Sequence, residues 1–234
     1  MATSFATLLS IISFISLLTT CLSRCHPVDY SALMKIKKGF NKPNVLSSWA
    51  PKTDCCSCYA ITCDQINNRV IGFSLRDAEI SGQIPWAIGI PSFLAGLANL
   101  EILELDHNEF SGVIPNTLFL FTKLKLMRLD RNKLIGTIPE PIGPFVGNVP
   151  SLNFAHNQLH GPLPKAFATM DFKRIDLSQN ILVGDATPLF KPHGSTEILN
   201  ISYNMFEFDF SKLEFPKSMF SLFINRILQI RFKN

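Results

Sequence analysis

The chain has 234 residues, a formal net charge of +4 at pH 7 and 47% hydrophobic residues. Its Lys and Arg residues are scattered rather than clustered. That excludes the electrostatic footprint of a protein that binds nucleic acid or is held on an anionic membrane.

Residues 1–23, MATSFATLLSIISFISLLTTCLS, carry an apolar run from Leu8 to Leu18 between small polar residues. The run is too short to span a membrane and no second long one comes after it, so it reads as a secretory signal peptide cleaved between Cys21 and Arg24. The remaining chain is long enough to bury a sizeable core. Its five cysteines, Cys25, Cys55, Cys56, Cys58 and Cys63, all lie before residue 64. In an oxidising compartment that placement predicts a local disulfide clamp within residues 24–69 rather than a framework for the whole fold, and it disfavours a metal site. Within this N-terminal region Asp29 is placed to cap a helix whose Leu33, Ile36 and Phe40 share one face. Leu46 and Trp49 then cover the end of the repeats that begin at Val70.

From Val70 the chain repeats itself. LEILELDHNEFSGVIP starts at Leu100, LKLMRLDRNKLIGTIP at Leu124, VPSLNFAHNQLHGPLP at Val149, FKRIDLSQNILVGDA at Phe172 and TEILNISYNMFEFDF at Thr196. The Asn of each copy falls at 108, 132, 157, 180 and 204, in steps of 24, 25, 23 and 24. An earlier copy, VIGFSLRDAEISGQIP, has Ala78 in place of the Asn. This is the leucine-rich template L-x-x-L-x-L-x-x-N-x-L. It predicts a right-handed α/β-type solenoid, with about six repeats over residues 70–217 and a frayed partial repeat over 218–234. Leu103 and Leu105, like Met127 and Leu129, alternate inward on short parallel strands lining a concave face. The Asn turns the chain and satisfies the backbone of neighbouring coils.

The same template assigns the positions that project from the concave face. The second coil offers Glu101, Ile102, Glu104, Asp106 and His107, and the third offers Lys125, Leu126, Arg128, Asp130 and Arg131. The fourth offers Ser151, Asn153, Ala155 and His156; the fifth offers Arg174, Asp176, Ser178 and Gln179. Glu104, Asp106, Asp130 and Asp176 make a candidate acidic stripe for a basic partner, although Arg128 and Arg174 interrupt it. The five histidines lack a Ser, Cys or carboxylate at a catalytic spacing, and an open face excludes no water, so catalysis is not expected and neither is a cofactor. Asn200-Ile-Ser202 is the one glycosylation sequon in the chain, placed on the strand face itself.

At L-x-G-x-I-P the repeats resemble the plant-specific extracellular class. SRCHPVDYSALMKIKKGFNKPNVLSSWAPKTDCCSCYAITCDQINNRVIGFSL, ISGQIPWAIG, LDRNKLIGTIPEPIG and EFDFSKLEF together resemble plant polygalacturonase-inhibiting proteins, from about Cys25 to about Ile227. The resemblance implies a secreted or cell-wall defence protein that binds fungal or insect polygalacturonases through the concave face, with cell-wall pectin as a further partner. It also implies pairing of Cys25 with Cys55 and of Cys56 with Cys63, leaving Cys58 unpaired and able to scramble the clamp. The family carries about ten coils. Here the step from Ala78 to Asn108 is 30 rather than 24, and two Ile-Pro pairs stand six residues apart in IPWAIGIP. That junction reads as the loss of about two coils, and the family's C-terminal cap is missing. An uncapped end would expose Phe206, Phe208, Phe210, Phe215, Phe220, Phe223 and Ile227 and favour pairing of two chains. A shortened face implies weakened inhibition. The alternatives are a non-inhibitory extracellular interaction module and an inactive truncated product.

Overall fold

The computed structural model describes residues 25–40, 43–85, 95–140, 149–209, 211, 213–227 and 229–231. The signal-peptide segment 1–23 lies outside the described residues, as does the junction stretch 86–94.

The one α-helix described, α1 (Pro27–Gly39), buries Leu33 and Ile36, and Phe40 just beyond it is also buried. Its N-cap is His26, whose ring accepts a bond from the Val28 N–H, and not Asp29 as the sequence suggested. Asp29 lies inside the first turn and is fully buried. It takes two bonds from Arg69 Nε at 3.0 and 3.1 Å and one from the Val70 N–H at 2.7 Å. A buried carboxylate needs this degree of pairing, and the pairing ties the cap to the first strand of the solenoid. Trp49 is buried against the Phe73 ring at 5.6 Å, closing the end of the first coil. Two disulfides, Cys25–Cys55 and Cys56–Cys63, hold the cap. Cys58 is free and buried, and its thiol donates to the Ser48 carbonyl. Burial, with the Asp54 charge second, pushes this thiol up. That lowers the thiolate fraction needed for exchange, so scrambling is disfavoured once the cap has folded.

Fifteen strands are described. In chain order they are β1 (Ile61–Cys63), β2 (Val70–Ser74), β3 (Ser81–Gln83), β4 (Ile102–Glu104), β5 (Glu109–Val113), β6 (Leu126–Arg128), β7 (Lys133–Gly136) and β8 (Ser151–Asn153). After these come β9 (Gln158–Gly161), β10 (Arg174–Asp176), β11 (Ile181–Gly184), β12 (Ile198–Asn200), β13 (Met205–Asp209), β14 (Ser221–Phe223) and β15 (Gln229–Arg231). They form two sheets. One runs β1-β2-β4-β6-β8-β10-β12-β14, parallel after its antiparallel first pair, and the other runs β15-β13-β11-β9-β7-β5-β3. The first is the predicted concave sheet. The second comes after each Asn and uses the L-x-G segment, which the leucine-rich template does not mark as a strand. Its glycines are required: Gly136 has φ of +81°, and a Cβ there would meet Val113 Cγ1 at 2.8 Å. Behind the sheets the coils return through short 3-10 turns such as Asn116–Leu120 and Lys165–Ala168.

The long step at the junction does not interrupt the ladder. β2 pairs directly with β4, aligning Phe73 with Leu103, and β3 pairs with β5. At the other end β14 continues the concave sheet in register with β12. Phe206, expected on an open end, is fully buried, whereas Phe215, Phe220 and Phe223 are exposed as expected and Ile227 is half-buried. The side chains of Phe208 and Phe210 lie outside the described residues.

The coils are joined to one another by the Asn ladder. Asn108 Nδ2 donates to the carbonyls of Leu75, Leu105 and Asp106 at 2.7–3.1 Å, and its Oδ1 accepts from the N–H groups of Ala78 and Ile80. Asn132, Asn157, Asn180 and Asn204 repeat the pattern, each accepting one N–H from the coil before it: Phe110, Leu134, Leu159 and Leu182. The residue before each Asn, among them His107, Arg131, Gln179 and Tyr203, has φ near +55°. Truncation at this position strands several buried backbone groups at once. Asn108→Ala therefore lowers stability by about 3–5 kcal/mol, while Asn153→Ala on the open face costs less than about 1 kcal/mol, as urea denaturation would read. Similar losses for the two variants would contradict the ladder's role.

Candidate functional site: the concave sheet

The parallel register stacks equivalent positions of successive coils. Glu104 stands opposite Arg128 and Arg128 opposite Asn153, while Ile102, Leu126 and Ser151 form the row beside them. Of the positions expected to project, Ile102, His107, Lys125, Arg131, Arg174 and Gln179 are exposed. Glu101, Glu104, Leu126, Arg128, Ser151, Asn153, His156 and Asp176 are half-buried. Four expectations are corrected: Asp106, Asp130, Ala155 and Ser178 are buried. All four come directly after the second inward-pointing residue of their strand, where the chain dips beneath the left-handed residue, and neighbouring side chains close over them.

The acidic stripe is consequently a neutralised network. Arg76 Nε donates to Asp106 Oδ2 at 3.1 Å, and His107 Nδ1 lies 2.9 Å from the same oxygen. Arg128 reaches Glu104, Asp106 and Asp130 at 3.5–3.7 Å. Ser74 Oγ donates to Glu104, and Lys125 pairs with Glu101 at 2.6 Å. Asp176 accepts from the Ser178 N–H and Oγ and from Asn200 Nδ2. Asn200, the sequon residue, thus has its amide nitrogen engaged, and a glycan on it would displace that bond. Further along the sheet Arg174 and Lys173 share Glu197, and Arg226 stacks over the Tyr203 ring at 5.2 Å.

Asp106, His107 and Asp130 each offer a ligand atom within 4.8 Å of the others. The carboxylates are already bound to Arg76 and Arg128, and a cation would sit against those guanidiniums, so the set suits ion pairing better than a metal. Two buried oxygens, Oδ1 of Asp106 and of Asp130, accept no hydrogen bond. The Asp130 carboxyl is pushed above the ordinary range, by burial first and by the Asp106 charge second, while Arg128 pulls it back. A raised carboxyl costs nothing while folded and unfolded states are both protonated, and it costs stability as pH rises through the folded value. Asp130→Asn therefore gains on the parent chain as pH increases from about 4, the ordinary Asp value, to 7. Urea denaturation at pH 3 and pH 7 reads the gain; an equal difference between the two chains at both pH values would contradict it.

Comparison with known proteins gives this face its context. Residues 26–64 match the family described as Leucine rich repeat N-terminal domain, and residues 99–121 match Leucine Rich Repeat. The polygalacturonase inhibitor of Pyrus communis is 40% identical over 96% of this chain and 82% of its own length. Polygalacturonase inhibitor 2 of Arabidopsis thaliana is 41% identical over 89% of this chain and 78% of its own. The alignment with the pear protein spans 270 positions, longer than the 234-residue chain, so it can close only with gaps on this side. Among solved structures, the Arabidopsis BIR2 ectodomain superposes with a TM-score of 0.63 at 30% identity, over 75% of this chain and 92% of that one. A plant ice-binding protein does so with a TM-score of 0.56 at 33% identity, over 88% and 81%. With this identity, this coverage and the same capped stack of leucine-rich coils, the chain belongs to the plant polygalacturonase-inhibitor family of leucine-rich-repeat proteins.

Proposed function

We propose that the chain is an extracellular binding protein that recognises fungal or insect polygalacturonases through its concave sheet, in the cell wall, with inhibition weaker than its relatives'. The observation that carries this reading is the 40% identity to a polygalacturonase inhibitor across almost the whole chain. The seven parallel strands from β2 to β14 give a continuous surface of the kind solenoids use for protein partners. Glu101, Ile102, Glu104, His107, Lys125, Leu126, Arg128, Arg131, Ser151, Asn153, Arg174, Asp176 and Gln179 supply the contacts. Asp106, Asp130, Ala155 and Ser178 act from beneath by fixing the shape and charge of that surface. The weakening has two causes. The face lacks the length that a gapped alignment implies for its relatives, and interfaces lose affinity steeply when anchors at fixed separations are removed. The neutralised carboxylates also leave little net negative charge for a basic target.

A second reading is favoured by the match to the BIR2 ectodomain and by the 36% identity to the Arabidopsis leucine-rich repeat protein FLOR 1. On that reading the same sheet engages another extracellular protein without inhibiting pectin degradation. The secreted chain, immobilised and exposed to a panel of fungal and insect polygalacturonases, separates the two. The expected result is reversible binding to at least one enzyme with partial loss of its reducing-end release. Absence of binding across the panel would overturn the first reading.

A further inference from the structure

The middle of the concave sheet carries a hollow of about 360 Å³, and the sequence of three consecutive strands explains it. On β8 the outward residues are the short Ser151 and Asn153. Beside them stand Leu126 and Arg128 on β6 and, on the other flank, Arg174 and Asp176 on β10. Long side chains on two strands thus wall a trough over a strand of short ones, and Ile198 of β12 closes one end beside Arg174.

Apart from the Ser151 hydroxyl, which can donate or accept, the polar capacity left inside that trough is mainly that of donors. Asp176 is the lining carboxylate, and both its oxygens already accept bonds from Ser178 and Asn200. Asn153 spends its carbonyl oxygen on the Ala155 N–H, which leaves its amide N–H groups. Arg128 meets its three carboxylates only at 3.5–3.7 Å, at ion-pair rather than hydrogen-bond length. Arg174 is exposed, and it competes with Lys173 for the single carboxylate of Glu197. Two guanidiniums with unspent donors therefore face a trough with apolar ends. Planar forks of this kind match a carboxylate bidentately.

We propose that this hollow is a socket for a loop tip bearing one acidic side chain, presented by the protein that docks on the concave sheet. The socket rests on the reading of that sheet as a protein-binding face, and it adds the chemistry of the contact. The partner is selected by an aspartate or glutamate at the centre of the interface, not by a basic patch seeking an acidic stripe. Methylene groups of the incoming side chain lie against Leu126 and Ile198, and its carboxylate lies between Arg128 and Arg174.

Two measurements test it. In methyl-labelled NMR spectra of the full secreted chain, millimolar N-acetyl-glutamate amide should shift the methyl signals of Leu126 and Ile198, while N-acetyl-lysine amide should not. The shifts should vanish in Arg174→Gln and in Ser151→Phe, which fills the trough. Equal shifts from both amides, or none from either, would overturn the socket. With any polygalacturonase found to bind the parent chain, Arg174→Gln should weaken binding about tenfold, and Lys133→Ala on the other sheet should leave it unchanged. An unaltered affinity in Arg174→Gln would likewise overturn the socket. Glutamate-specific shifts in a chain that binds no polygalacturonase would support the socket and remove only the choice of partner.

Discussion

The structure depends on one recurring interaction, an asparagine amide spent on the backbone of two adjacent coils. A solenoid coil leaves carbonyls and N–H groups facing its neighbours where the chain leaves the strand, and buried backbone groups must be paired. One amide supplies donors for both coils and an acceptor for the preceding one, so stacking and turning are solved together. This explains why the junction near residue 84 is tolerated. Ala78 brings no amide to the first coil, yet Asn108 reaches back to both Ala78 and Ile80 and bonds the Leu75 carbonyl as well. Any coil carrying the Asn can stack on whichever coil precedes it, so the long step between Ala78 and Asn108 leaves the ladder whole.

The regular stack also dictates the electrostatics of the concave sheet. Because equivalent positions recur about every two dozen residues, charges are brought together by register rather than by local sequence. Asp106 and Asp130 occupy the same place in neighbouring coils and are forced together in a buried row. The cost of burying them is offset by Arg76 and Arg128, which come from the same face. The residues that read along the sequence as an acidic stripe interrupted by arginines are one network in which the arginines are the counter-ions. What remains for a partner lies at the border of that network, in the donors that Arg128 leaves without a hydrogen bond and in Arg174, which has only a share of Glu197.

Much of the fold was legible because the solenoid converts sequence periodicity directly into spatial periodicity. The inward Leu103, Leu105, Met127 and Leu129, the turning asparagines and the capping Trp49 all occupy the places their spacing implied. The second sheet is not marked by the leucine-rich template, although the sequence carries a signal for it. Five of the six copies, all but the one starting at Thr196, follow the strand turn with an apolar residue two places before a glycine, as in Glu109-Phe110-Ser111-Gly112, and that is a strand pattern ended by a left-handed residue. The role of Asp29 is not legible locally: its spacing fits a helix cap, whereas its partner Arg69 lies forty residues away and is brought close only by the fold. Burial of Asp106, Asp130, Ala155 and Ser178 is hidden in the sequence for a related reason. The template gives in–out alternation along a strand, but it does not register the dip of the chain into the left-handed residue that comes next.

Amide hydrogen exchange on the folded chain tests the ladder most directly. The N–H groups of Ile80, Phe110, Leu134, Leu159 and Leu182 each donate to the asparagine of the following coil. They should be strongly protected, all to a similar degree, and lose protection together in one cooperative transition. Free exchange at these five positions while the concave strands stay protected would show that the coils are held by side-chain packing alone, and would contradict the account.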